Sequence, residues 1–139
     1  MRIVFIDGMG GGLVAQVISQ VIGRLPQDTE LIGLGTNALA TAAMLKAGLK
    51  RGATGENAVC VTSQTADVIV GPIGIVLPNS MLGEITPQMA AAVASSRARK
   101  LLLPVSQNHF EIIGTDNKPM SQLVKEAADK IVEICGGKI

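Results

Sequence analysis

Apolar positions along the chain follow two alternating rhythms. Residues 2–6, Arg-Ile-Val-Phe-Ile, form a β-branched, apolar run closed by a glycine cluster, which predicts a strand. From Leu13 the apolar positions are 13, 14, 17, 18, 21, 22 and 25. That is the stripe of a helix, stopped by Gly23 and Pro26. Residues 30–34 predict a second strand, and the Ala-, Leu- and Met-rich residues 38–47 a second helix closed by Gly48.

The middle of the chain is less regular. Val59-Cys60-Val61 has strand character, but the clear strand 67–71 follows too soon for a parallel crossover. A short helix over 55–65, capped by Thr54, is the better reading. The run Ile75-Val76-Leu77-Pro78 fits a buried loop, a helical turn or a short strand. Thr86-Pro87 is a helix start, with Thr as cap and Pro in the first turn, and the helix runs to about Ser96. Residues 100–105 predict a strand, and 110–114 a last short strand that pairs antiparallel as an edge hairpin. A final helix covers about 119–134.

Strands that alternate with helices predict one α/β domain over residues 1–139. Its class is a Rossmann-like three-layer fold, a mostly parallel sheet with a C-terminal antiparallel edge hairpin. Ligands of such folds sit beyond the carboxyl ends of the strands. Segments 7–12, 35–37, 71–74 and the stretch after 100–105 are expected to gather there.

Composition narrows the picture. Hydrophobic residues make up 47% and charged residues 17%, with two Phe and no Tyr or Trp. The core must be aliphatic, and the apolar excess predicts a homo-oligomer, although a parallel sheet buried on both faces also makes a chain look apolar. A net charge of +1 gives no field for nucleic acid, and the near-absence of aromatics leaves no stacking platform. No apolar run is long enough to span a bilayer, so no membrane partner is expected. The opening residues read as a strand and not as a signal peptide, because Asp7 and the glycines end the apolar run early. Cys60 and Cys135 read as reduced apolar fillers.

The chemistry centres on Asp7-Gly8-Met9-Gly10-Gly11-Gly12, a turn between a strand and a helix. Backbone bare of side chains lets N–H groups approach an anion, and the helix adds its positive end. Gly8, Gly10, Gly11 and Gly12 are the candidate anion ligands. The alternative is that they only permit a tight turn and close helix–sheet packing. The dinucleotide fingerprint would need Gly at Leu13, and no acid follows strand two, where Gly35-Thr36-Asn37 stands. A nucleotide, a dinucleotide or a phosphometabolite remains compatible, with unphosphorylated NAD disfavoured.

Several other residues have two readings. Asp7 either accepts the turn's own N–H groups or holds a ribose hydroxyl or Mg²⁺. Thr36 and Asn37 either cap the second helix or read a ligand's polar groups. Arg51, in a polar loop, is a solvated charge or an anion clamp. Gly71, Pro72 and Gly74 line the expected cleft. Glu84 is either a carboxylate at a helix start or, with Asp7, a general base. His109 is expected as an exposed loop residue, and a single His without paired Cys leaves no zinc site.

Together, Ile6-Asp7-Gly8-Met9-Gly10-Gly11-Gly12, Leu34-Gly35-Thr36-Asn37, Arg51-Gly52-Ala53-Thr54-Gly55-Glu56-Asn57, Gly71-Pro72-Ile73-Gly74-Ile75 and Asn79-Ser80-Met81-Leu82-Gly83-Glu84-Ile85-Thr86 resemble a short bacterial family catalogued as a domain of unknown function. The resemblance implies a stand-alone cytoplasmic protein and supplies no activity, cofactor or catalytic residue. Val14 departs from the Gly usual there, which would approach the short-chain dehydrogenase pattern. A chain without Tyr cannot supply the Tyr-Lys pair of those dehydrogenases. The expected function is therefore binding of a small anionic ligand. The alternatives are an enzyme on the same site or an assembly subunit without a ligand.

Overall fold

A computed structural model describes residues 1–105, 111–115 and 118–137. The strands are β1 (Arg2–Asp7), β2 (Glu30–Gly35), β3 (Arg51–Thr54), β4 (Val68–Pro72) and β5 (Arg99–Leu103). The helices are α1 (Gly12–Val21), α2 (Ala38–Lys46), α3 (Glu56–Ser63), α4 (Pro87–Ser95) and α5 (Met120–Cys135). A 3₁₀ turn covers Ile73–Val76, so the helical-turn reading holds for Ile75 and Val76.

All five strands are parallel, in the order β3-β2-β1-β4-β5. β1 lies at the centre and is buried on both faces, which explains its unbroken apolar run. Ile3 and Phe5 face Val14, Val17 and Ile18 of α1, Met44 of α2 and Ile131 of α5. Val4 and Ile6 face the other way, onto Val59 of α3 and Met89 and Val93 of α4. Each such aliphatic side chain, fully buried, contributes roughly 1.5–3 kcal/mol relative to exposure. The result is a Rossmann-like three-layer arrangement. Its crossovers run outward from β1 to β3, then return to β4 on β1's other side. The reversal leaves a crevice between the carboxyl ends of β1 and β4.

Three expectations are corrected. Arg51-Gly52-Ala53-Thr54 is a strand, not a loop, and it pairs with β2 from Ile32↔Arg51 to Gly35↔Thr54. Its four residues are all exposed, so no hydrophobic alternation announced it. Thr54 does not cap α3. It meets the Thr41 hydroxyl at 2.7 Å, and Gly55 stands at the cap position. Of the hairpin strand expected at 110–114, residues 111–114 carry no strand, and Phe110 lies outside the described residues. His109 also lies outside them. No helix among the described residues is long and apolar enough to cross a membrane.

Candidate functional site

The glycine turn stands where β1 gives way to α1, beside the crevice between β1 and β4. Asp7 ends β1 and is buried. One of its carboxylate oxygens accepts the Gly8 N–H at 2.8 Å, and the other accepts the Val14 N–H at 2.9 Å. The aspartate therefore binds amides of its own turn and of the first turn of α1. Burial raises its pKa above the ordinary aspartate value, against the lowering effect of these two bonds, and the charge of Glu84 adds to the rise.

Glu84 approaches from the loop before α4. Its Oε1 accepts the Met9 N–H at 2.8 Å, the Thr36 hydroxyl through a short bond, and the Asn37 amide at 3.1 Å. The Thr36 hydrogen bond is the main reason that its pKa lies below the ordinary glutamate value; the Met9 and Asn37 bonds add to this and partial burial opposes it. Asn37 also caps α2 by accepting the Ala40 N–H at 2.8 Å, and it donates to the Met9 carbonyl at 2.9 Å. One carboxylate oxygen thus joins the glycine turn, the start of α2 and the loop before α4.

The four glycines of the turn differ in role. A Cβ on Gly8 would sit 2.6 Å from the Met81 sulfur and 2.7 Å from the Thr36 hydroxyl. Gly11 has φ 74°, and a Cβ there would be 2.7 Å from the Ala40 Cα. Packing and backbone conformation account for both. Around Gly10 and Gly12 nothing among the described residues comes within 4 Å of a Cβ position, and neither has a positive φ. The Gly11 N–H bonds to the Gly8 carbonyl at 2.9 Å. Among the described residues, the N–H groups of Gly10, Gly12 and Leu13 have no partner.

These groups line a cleft of about 240 Å³ with Asp7, Pro72, Met81 and Val105. Among the described residues, larger clefts lie elsewhere. One of about 420 Å³ runs past Val21–Pro26 and Gly48–Arg51, and one of about 400 Å³ lies between β5 and α5. In the first Arg51 pairs with Glu30, and in the second Lys118 pairs with Glu126. Another, of about 330 Å³, lies beside Gly23–Gln27 and Gly136. The smaller cleft is the candidate because it occupies the topological switch point and holds the uncommitted amides.

Not every expected site residue comes here. Arg51 pairs with Glu30 at 3.2 Å near the amino ends of β2 and β3, because its strand register carries it away from the glycine turn. Pro72 lines the cleft. Gly71 and Gly74 serve packing: a Cβ on Gly71 would meet the Ile6 carbonyl at 2.5 Å, and a Cβ on Gly74 would sit 3.1 Å from the Ser80 hydroxyl. Met81, which was not among the expected site residues, supplies a wall of the cleft.

A family model described as a domain of unknown function, DUF3842, matches residues 2–136. The chain belongs to the DUF3842 family. Its match takes in every element from β1 to α5. No curated protein matches the chain. The DUF3842 assignment carries no activity, so any role must be argued from the cleft.

Proposed function

We propose that this protein binds a small anionic ligand, a phosphometabolite or mononucleotide, in the switch-point cleft and does so as a homo-oligomer. The observation that carries the reading is the state of Gly10 and Gly12. Among the described residues, internal packing gives no reason for either to lack a side chain, and both line the cleft with N–H groups that have no partner there. An anion there meets the amides of Gly10, Gly12 and Leu13 and the positive end of α1.

The rest of the turn limits what fits. Asp7 and Glu84 already take the amides of Gly8, Met9 and Val14. The ligand's charge is therefore held by the second half of the turn, through the amides of Gly10, Gly12 and Leu13. A cleft of about 240 Å³ is smaller than the roughly 300 Å³ at which drug-sized pockets begin, which favours a compact group over a dinucleotide.

A second reading, an enzyme on the same cleft, rests on Asp7. A buried carboxyl with a raised pKa that lines a ligand cleft suits proton transfer. Glu84 fits a positioning role better, since three donors already hold its Oε1.

The test is thermal unfolding with inorganic phosphate, ribose 5-phosphate and AMP. A ligand at a hundred times its Kd adds about 2.7 kcal/mol to stability. We expect one of these probes to raise Tm, and Gly12→Asp to abolish the shift while leaving the fold intact. No shift from any of the three overturns the proposal.

A further inference from the structure

Helix α2 is apolar on every side, yet the described residues cover only one side. Its sequence, Ala-Leu-Ala-Thr-Ala-Ala-Met-Leu-Lys, holds two polar residues, Thr41 and Lys46. A helix with no polar face belongs in an interior. Ala40, Thr41 and Met44 are buried against the sheet. Ala38, Leu39, Ala42 and Leu45 are exposed, Leu39 at 68%. At 3.6 residues per turn these four and Lys46 fall on one arc about 120° wide, centred on Ala42. The surface runs on to the exposed edge strand β3, where Leu45 Cδ2 would lie 3.2 Å from a Cβ on Gly52.

We infer that this face joins two copies of the chain, with their α2 helices antiparallel across a two-fold axis at Ala42. The inference deepens the self-association part of the proposed function and does not depend on the ligand. An axis at residue 42 sets Leu39 against Leu45 of the second copy, so bulky apolar groups meet each other over a small central residue. Charge agrees with the antiparallel sense. The carboxyl end of α2 leads into Lys46 and Lys50, while its amino end holds Glu84 through Asn37. Antiparallel docking brings Lys46 of each copy to Ala38 at the acidic end of the other.

Sedimentation equilibrium on the full chain tests this. The unaltered protein is expected to be a dimer. Ala42→Glu, which buries an unpaired charge at the axis, is expected to weaken it at least about 100-fold with an unchanged circular dichroism spectrum. Ala42→Cys covers the case in which the charged variant fails to fold. Under mild oxidation it is expected to cross-link far faster than the unaltered chain, which carries only Cys60 and Cys135. A monomeric unaltered protein overturns self-association altogether. A dimer that cross-links no faster through Cys at position 42 overturns this surface alone and leaves self-association standing.

Discussion

The Met9 backbone N–H donates to the Glu84 carboxylate at 2.8 Å across a separation of 75 residues. Met9 sits at φ 53°, a conformation that a non-glycine residue holds only when its surroundings fix it. The bond is part of what fixes the glycine turn. The first prediction follows directly. Glu84→Ala removes one charged acceptor from three donors and is expected to cost about 1.5–3 kcal/mol in urea unfolding, with Glu84→Gln costing less. A cost near zero for both would show that the junction contributes nothing.

The two carboxylates have opposite pH dependence. Glu84 is held below its ordinary value of 4.5, so its contribution is full above that pH and is lost as pH falls through the folded-state value. The stability difference between the unaltered protein and Glu84→Gln is expected to be largest at neutral pH and to shrink on acidification. Asp7 is held above its ordinary value of 3.8, so the native state binds that proton more tightly. Its ionisation lowers stability as pH rises from the unfolded value through the folded one. Asp7→Asn is expected to remove that downward component from a plot of unfolding free energy against pH.

Neighbouring glycines are expected to separate stability from binding. Gly11→Ala meets both a left-handed φ of 74° and the Ala40 backbone, and is expected to cost roughly 2–5 kcal/mol. Gly12→Ala enters open space at the start of α1 and is expected to leave stability unchanged or raise it by about 0.4–1 kcal/mol. The same Gly12→Ala change is expected to weaken a phosphate probe. Equal and large losses of stability at both positions would count against the division of roles drawn here.

Leu82 offers a gain. It is 93% exposed at φ 57°, so its side chain buries nothing while its backbone carries the left-handed penalty. Asn tolerates that conformation. Leu82→Asn is expected to stabilise the protein by roughly 1 kcal/mol, read as a rise in Tm.

Much of the fold was legible because periodicity and burial coincide. β1, β2 and β4 are buried strands and read as apolar runs, and α1 and α5 show their stripes. β3 was missed because an exposed edge strand of Arg, Gly, Ala and Thr follows no rhythm; only the need of β2 for a neighbour creates it. That strand also decides the fate of Arg51, which its register sends to Glu30. At the site, the sequence marked Asp7, Thr36, Asn37 and Glu84 individually as polar groups at element ends. It could not show that Met9, Thr36 and Asn37 converge on one oxygen of Glu84, because that depends on how three loops are brought together. That Asp7 accepts an N–H of its own turn was one of its two readings, whereas the Met9 amide spent on Glu84 was invisible in a string of glycines.

The junction at Glu84 also sets an order of assembly during synthesis. A ribosome that has released residues 1–54 has delivered β1, β2 and β3 but not Glu84. The donors at Met9, Thr36 and Asn37 must wait for a partner that emerges some thirty residues later, after β4 has covered the other edge of β1. The tip of the first strand is therefore completed from the far half of the polypeptide. A fragment that ends before Glu84 carries an unfinished tip, however well its own strands have formed.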